Sequence, residues 1–145
     1  MCAINGLVRA KGSGAHRERD RLLALRMNEV TKHRGPDGTA VWADEYATLG
    51  HNRLAIIDLD PRSNQPMTSA SGRFIITFNG EIFNFQELKR ELSYPYKTEG
   101  DTEVILAAFE KWGTEAFARL RGQFALGIWD TREKTLYLAR DHSGI

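Results

Sequence analysis

Short segments with the character of β-strands recur along this chain, and they limit its fold more than any other feature. Apolar and polar residues alternate in most of them, which places successive side chains on opposite faces of a strand. The predicted strands are residues 3–8, 39–43, 48–57, 73–79, 123–129 and 134–139. The last two are separated by residues 130–133, a spacing that indicates a hairpin.

Helical spacing predicts the other elements. The predicted helices are residues 17–32, 85–92, 101–112 and 114–120, and residues 12–14 predict a loop. Apolar residues of the first helix share one side, namely Leu22, Leu23, Met27 and Val30. Charged residues lie elsewhere on this helix. Asp101 stands where an N-cap residue is preferred, at the start of the third helix.

The single cysteine of the chain is Cys2, at the tip of the first predicted strand. Removal of Met1 would give this residue both a thiol and a free α-amino group. Such amino groups titrate near ~7.7–8.0, so part of the population is neutral at pH 7 and can accept a proton. An N-terminal amine of this kind can activate a nucleophile. The alternative is a structural cysteine that packs as a small apolar residue or lies at a frayed end.

The dipeptide Asn79-Gly80 allows two interpretations. Asn-Gly is the strongest short hairpin signal, which predicts a tight turn here with the strand resuming at residues 81–83. The alternative is functional, because an Asn side-chain amide and a glycine backbone N–H can together form an oxyanion hole.

Arg53 and Asp101 each allow a structural and a functional role. Arg53 begins an apolar run, where its side chain can reach solvent or offer a planar fork to a carboxylate. Asp101 can act as a helix cap alone or can bind a cation. The sequence around each residue leaves both roles open.

Length and composition indicate one globular domain. The chain has 145 residues, of which 41% are apolar and 27% charged, and its net charge is +1. That charge gives no reason to expect nucleic acid or an anionic membrane as a partner. We find neither a signal peptide nor an apolar run long enough to cross a bilayer. A lone cysteine excludes an intramolecular disulfide and fits a reducing compartment, so we expect a cytoplasmic location.

Several function classes lack their motifs in this sequence. There is no phosphate-binding glycine-rich loop, and no serine lies in a nucleophile elbow. The four histidines are scattered along the chain and none has a second candidate metal ligand close by. The sequence therefore predicts no metal site.

A series of motifs identifies a family that this chain resembles. The motifs are Cys2 after Met1, His33-Arg34-Gly35-Pro36-Asp37-Gly38, His51-Asn52-Arg53-Leu54-Ala55-Ile56-Ile57-Asp58, Gln65-Pro66-Met67, Phe78-Asn79-Gly80-Glu81-Ile82-Phe83-Asn84, Gly100-Asp101-Thr102-Glu103-Val104 and Leu138-Ala139-Arg140-Asp141. Their order resembles that of the N-terminal glutaminase domain of class II glutamine amidotransferases, most closely that of asparagine synthetases.

This resemblance implies a fold and an activity. The fold is an α+β N-terminal-nucleophile sandwich of four layers, αββα, with two antiparallel sheets in the middle. The activity is hydrolysis of the glutamine side-chain amide through a Cys2 thioester, without metal or cofactor. The implied roles are nucleophile for Cys2, oxyanion hole for Asn79 and Gly80, and glutamine binding for Arg53, Ile56, Glu81 and Asp101.

The chain departs from the family pattern at several points. Ala3 stands where the family usually has glycine, His142 and Ser143 replace the usual residues near the end, and residues 92–101 form a shorter segment. The resemblance also implies that residues 1–145 are an incomplete glutaminase domain without its synthetase domain. A synthetase domain or chain that receives ammonia is therefore an expected partner. The alternatives are a non-catalytic glutamine-binding or regulatory paralogue and a truncated product that does not fold alone.

Overall fold

A computed structural model of the chain describes residues 1–10, 13 and 16–144. The predicted loop at residues 12–14 lies outside the described residues except for Ser13. The strands are β1 (Ala3–Val8), β2 (Gly38–Ala43), β3 (Ala47–Arg53), β4 (Met67–Thr68), β5 (Phe74–Ile82), β6 (Gly122–Asp130) and β7 (Thr135–Arg140). The α-helices are α1 (Arg17–Thr31), α2 (Phe85–Glu91) and α3 (Asp101–Trp112), and short 3-10 turns cover Lys32–Arg34, Pro61–Ser63 and Gly113–Arg119.

The strands form two antiparallel sheets. A three-stranded sheet has the order β1-β3-β2, and a four-stranded sheet has the order β4-β5-β6-β7. In the first sheet Ala3 lies opposite Asn52, so the start of β1 meets the end of β3. In the second, β5 pairs with β6 along its whole length, from Phe74 opposite Asp130 to Ile82 opposite Gly122.

The sheets stack between helices, in the αββα order that the resemblance implied. Helix α1 packs on the three-stranded sheet, and α3 packs on the four-stranded sheet. The larger apolar cluster, which includes Phe78 and Ile105, lies between the four-stranded sheet and the helices α2 and α3. A smaller cluster around Leu49 and Trp129 lies between the two sheets.

Helix α1 is present as predicted, but its apolar side is not the side that is buried. Leu22 and Val30 are 52% and 76% exposed. The buried residues of α1 are Asp20, Ala24 and Asn28, which recur every four residues. This face is polar because the sheet beneath it is polar: Asn28 accepts a 2.6 Å hydrogen bond from Asn5 Nδ2.

The predicted turn at Asn79-Gly80 is also wrong, because β5 continues through it. Asn79 lies opposite Ala125 and Gly80 opposite Phe124 in the ladder with β6. Gly80 supplies a φ of 150°, which other residues rarely adopt. The pairing with β6 therefore decides the local structure.

Two further predictions need correction at their boundaries. The strand predicted to reach residue 57 ends at Arg53, and the chain then bends at Ile56 and Ile57. Gly100 holds the N-cap position of α3 without a side-chain cap, and Asp101 is the first residue of the helix. None of the described helices combines the length and the hydropathy that spanning a membrane requires.

Candidate active site

The seven residues predicted for the site line one cavity of about 170 Å³. They are Cys2, Arg53, Ile56, Asn79, Gly80, Glu81 and Asp101. Four parts of the fold supply them: the start of β1, the end of β3 with the following bend, the last part of β5, and the first turn of α3. Residues that are far apart in sequence thus meet at one end of the space between the sheets.

Strand alternation explains why these side chains converge. Leu49 of β3 and Ile75 of β5 belong to the cluster between the sheets. Since alternate residues share a face, Arg53 faces the four-stranded sheet, and Asn79 faces the three-stranded sheet. Both side chains therefore point into the same space from opposite walls.

The Cys2 thiol is held by the backbone of Leu54. The Leu54 N–H donates to Sγ across 3.3 Å, and Sγ lies 3.7 Å from the Leu54 carbonyl oxygen. Arg34 Nε donates to the Cys2 carbonyl oxygen at 3.2 Å. Met1 also lines the cavity. The Ala3 side chain is buried in β1, so the extra Cβ at this position is accommodated.

Arg53 is a buried cation without an anionic partner among the described residues. Its side chain is 9% exposed and forms no ion pair with a described carboxylate. Its Nη1 donates to the Asp60 carbonyl oxygen at 3.0 Å and to Asn64 Oδ1 at 2.8 Å. Its Nη2 donates to the Asp58 carbonyl oxygen. A buried charge that has no counter-ion favours binding of an anion beside it.

The same guanidinium organises residues 54–64 into one wall of the cavity, and Asp58 connects this wall to the segment just before α3. Asp58 Oδ2 accepts hydrogen bonds from Glu99 N at 3.0 Å and Ser63 Oγ at 2.7 Å. These bonds, led by the one from Glu99, lower the pKa of Asp58 to about 2. Ile56, within this wall, has a side chain that is 73% exposed.

Asn79 brings an uncommitted amide to the opposite wall. Its Oδ1 is buried without a hydrogen-bond partner, and its Nδ2 donates to none of the described residues. Such an amide can donate to a group that enters the cavity.

The backbone N–H of Gly80 is similarly uncommitted. Phe124, the residue opposite Gly80, uses its own N–H and carbonyl on Asp141, both at 2.9 Å. Gly80 and Phe124 are therefore a non-hydrogen-bonded pair, and the Gly80 N–H points away from β6. It finds no partner among the described residues, so the cavity wall presents two adjacent donors, Asn79 Nδ2 and Gly80 N–H.

Two carboxylates lie at the α3 end of the cavity. Asp101 is 5% exposed, and its Oδ2 accepts a 2.9 Å hydrogen bond from Ile82 N–H. Burial raises the pKa of Asp101, and the charge of Glu81 raises it further. Neither carboxylate forms an ion pair with a described Lys or Arg. This end of the cavity therefore favours a cation, whereas the Arg53 end favours an anion.

Comparison with known proteins supplies the family. A sequence model described as a glutamine amidotransferase domain matches residues 1–145. The chain belongs to the glutamine amidotransferase domain family. Glutamine-hydrolysing asparagine synthetase 1 of Bacillus subtilis is 38% identical over 148 residues, which cover 100% of this chain and 23% of that protein. Asparagine synthetase B of Escherichia coli is 34% identical over 147 residues, which cover 100% of this chain and 26% of that protein.

This glutamine amidotransferase chain therefore spans about a quarter of the length of these curated relatives. Among solved structures, the glutamine phosphoribosylpyrophosphate amidotransferase from B. subtilis matches with a TM-score of 0.70 at 19% identity. The match covers 99% of this chain and 38% of that one. It establishes a shared fold.

The structure adds residues to the amidotransferase cavity that sequence reasoning did not select. Leu54 acts through its backbone, so its side chain gave no signal. Gln65 and Thr102 line the cavity and are hydrogen-bonded to each other at 3.2 Å. His51 is 1% exposed beneath the site. Each of these lies within a quoted motif, but only tertiary contacts distinguish it from its neighbours.

Proposed function

We propose that this domain hydrolyses the side-chain amide of glutamine to glutamate and ammonia, with Cys2 as the nucleophile. The observation that carries the proposal is the arrangement of the cavity, where a thiol lies among an unpaired buried cation, two unpaired carboxylates and two free donors, all judged among the described residues. Family membership gives the class of reaction.

The cavity matches the three polar parts of glutamine. Arg53 binds the α-carboxylate through its guanidinium, because a planar fork fits a carboxylate. Asp101 and Glu81 bind the α-ammonium group, together with backbone near Ile56. Asn79 Nδ2 and Gly80 N–H bind the side-chain carbonyl oxygen and hold it more strongly once it becomes negative.

The proposed reaction has two stages. The Cys2 thiol gives its proton to the α-amine, and sulfur bonds to the amide carbon while the carbonyl electron pair moves onto oxygen. The resulting ammonium returns the proton to nitrogen as the carbon–nitrogen bond breaks, so ammonia leaves and a thioester remains. Water then attacks the thioester, which releases glutamate and restores the thiol. Neither stage uses a metal or a cofactor.

The base in this scheme exists only after Met1 is removed. Met1 lines the cavity, and while it is present the Cys2 nitrogen is part of a peptide bond and cannot accept a proton. Intact-mass measurement gives the answer directly, because the processed domain is lighter by one methionine residue.

We further propose that the ammonia serves a synthetase. The asparagine synthetases that resemble this chain are described as glutamine-hydrolysing. Residues 1–145 would then be part of a glutaminase domain whose product passes to a synthetase domain or chain. A cytoplasmic location, expected from the single cysteine, stays a prediction.

The test measures glutamate and ammonia release from glutamine by the domain after its mass is known. A second assay treats the domain with an electrophilic glutamine analogue and maps the labelled residue. We expect turnover, with label on Cys2. The matched control is Cys2→Ala, which should bind glutamine without turnover or label.

Three other outcomes decide against the proposal. Glutamine binding by calorimetry without turnover in the processed wild-type domain would favour a non-catalytic glutamine-binding paralogue. Label on a residue other than Cys2 would exclude the proposed nucleophile. A broad, uncooperative thermal transition would indicate a chain that does not fold alone.

A further inference from the structure

The backbone of Phe78, the residue before Asn79, is held at both of its polar groups by buried side chains. His51 Nε2 lies 3.1 Å from the Phe78 carbonyl oxygen. Gln65 Oε1 accepts a 2.7 Å hydrogen bond from the Phe78 N–H. These two contacts form what we call the Phe78 clamp, consisting of His51 and Gln65.

The clamp connects three elements that line the cavity, namely β3, β5 and α3. His51 lies on β3, two residues before Arg53. Gln65 also donates from Nε2 to Thr102 Oγ1 at 3.2 Å, and Thr102 is the neighbour of Asp101 on α3. A chain of hydrogen bonds therefore runs from the Arg53 strand, through the Asn79 strand, to the Asp101 helix.

We propose that His51 and Gln65 are positioning residues that fix the oxyanion donors Asn79 and Gly80 through the Phe78 peptide. This inference rests on the proposed function, since it assigns the clamp to glutamine hydrolysis. It adds two residues that act through another residue and not by touching the reacting atoms.

The edge of β5 shows what Gln65 accomplishes. Along this edge the N–H groups of Phe78, Gly80 and Ile82 point away from β6. Gln65 accepts a hydrogen bond from the Phe78 N–H at 2.7 Å, and Asp101 accepts one from the Ile82 N–H at 2.9 Å. Within the described part of the chain, the middle N–H, that of Gly80, stays available to the substrate. Gln65 and Asp101 thus set the strand on both sides of the donor.

His51 has the protonation state that this role requires. Burial lowers its pKa to about 4, and the charge of Arg53 acts in the same direction. The ring is therefore neutral near pH 7. Because a carbonyl oxygen can only accept, the ring hydrogen is on Nε2. The His51 ring is 1% exposed and therefore donates to the Phe78 carbonyl oxygen from a buried position.

The test uses His51→Leu, Gln65→Leu and Thr102→Val in the processed domain. Thr77→Val is the matched control, because Thr77 Oγ1 also joins β5 to β3, through a 3.1 Å bond to the Gly50 carbonyl oxygen. It lies next to Phe78 but leaves the clamp intact. Active-site titration with the electrophilic analogue corrects kcat for the folded fraction, and calorimetry on Cys2→Ala backgrounds gives the Kd of glutamine.

We expect kcat to fall about 10–100-fold in His51→Leu and Gln65→Leu, because small misplacements of catalytic donors have effects of that size. The Kd of glutamine should change less than about 3-fold, since the clamp acts on the transition state. Thr102→Val removes one anchor of Gln65 and should lower kcat about 3–10-fold. Thr77→Val should keep kcat within about 2-fold of wild type.

His51→Gln provides the rescue, because its amide nitrogen can donate to the same carbonyl oxygen. We expect it to recover most of the kcat lost in His51→Leu. A clamp that only supports folding would lower the titrated fraction and the melting temperature in His51→Leu and Gln65→Leu, with kcat per titrated site unchanged.

The two proposals fail in different ways. If wild type releases no ammonia, the proposed function is wrong. If wild type hydrolyses glutamine but kcat per titrated site in His51→Leu, Gln65→Leu or Thr102→Val equals that of Thr77→Val, the clamp proposal is wrong. Should one leucine variant not fold, Thr102→Val, a nearly isosteric change, decides the same question.

Discussion

The Leu54 N–H donates a hydrogen bond of 3.3 Å to the sulfur of Cys2, although the two residues are 52 positions apart. Antiparallel pairing of β1 with β3 brings the chain start to the end of β3. The residue before Leu54 is Arg53. The backbone group that contacts the sulfur and the residue that carries the guanidinium are therefore consecutive in sequence. The sulfur is thus hydrogen-bonded to the residue that directly follows Arg53.

Asn79→Leu should separate catalysis from stability. The Asn79 amide makes no hydrogen bond with the described residues, and its buried Oδ1 is unpaired. We expect kcat to fall about 10²–10³-fold from loss of one oxyanion donor, with no loss of thermal stability. Steady-state kinetics and a melting curve check this. A fall in melting temperature that accounts for the lost activity would contradict it.

Arg53→Lys should weaken glutamine binding. Lysine keeps the charge but loses the planar fork that contacts the Asp60 and Asp58 carbonyl oxygens. Charged hydrogen bonds contribute about 1.5–3 kcal/mol, so we expect KM to rise about 10–100-fold. Arg62→Lys is the matched control, since the Arg62 side chain is 56% exposed on the same segment. An equal rise of KM in both variants would argue against binding by Arg53.

Gly80→Ala should destabilise the domain. A Cβ at this position would lie 2.1 Å from the Gln123 carbonyl oxygen and 2.6 Å from Phe124 Cα, and both are backbone atoms. We expect a loss of about 2 kcal/mol or more in the free energy of unfolding, measured with urea.

The control for Gly80 is Gly127→Ala in β6. Its new Cβ would meet the end of the Leu138 side chain at 3.4 Å, an ordinary contact. Stability within about 0.5 kcal/mol of wild type is expected there. Equal losses at both glycines would show that the close approach of β5 and β6 is not the cause.

His51 makes stability depend on pH in a defined window. Burial lowers its pKa from 6.5 to about 4 in the folded state. The unfolded chain therefore binds a proton between these values that the folded chain does not, and stability falls as pH decreases from 6.5 to 4. Because a tenfold change in proton affinity corresponds to about 1.4 kcal/mol, this histidine contributes about 3 kcal/mol to the decrease.

The measurement is urea unfolding at several pH values for wild type and His51→Gln. The variant should show a flatter profile between pH 6.5 and 4, because glutamine does not titrate. Protonation of Asp58 reduces stability only at lower pH, because the pKa of this carboxyl group is lowered from 3.8 to about 2. If the profiles of wild type and His51→Gln coincide between pH 6.5 and 4, His51 does not cause the fall in stability over that range.

Much of the fold could be predicted from local pattern. Among the residues that the structure describes, period-two segments identified six of the seven strands, and helical spacing identified α1, α2 and α3. The missing strand, β4, has two residues and no pattern to detect. Motif order gave all seven candidate site residues, which the structure brings to one cavity. Their roles in glutamine hydrolysis stay predictions.

The sequence by itself determined most of the strands and the α-helices, because these depend on local periodicity. The order of its motifs identified residues that line the cavity. Tertiary structure decided the features that depend on contacts between residues far apart in sequence. Asn79-Gly80 is strand and not turn because β6 supplies a ladder for it. The buried face of α1 is polar because Asn5 and Asn52 lie beneath it. Phe78 is clamped because side chains from other elements satisfy its backbone. Hydrogen bonding and packing over long separations outweigh local preference at these sites.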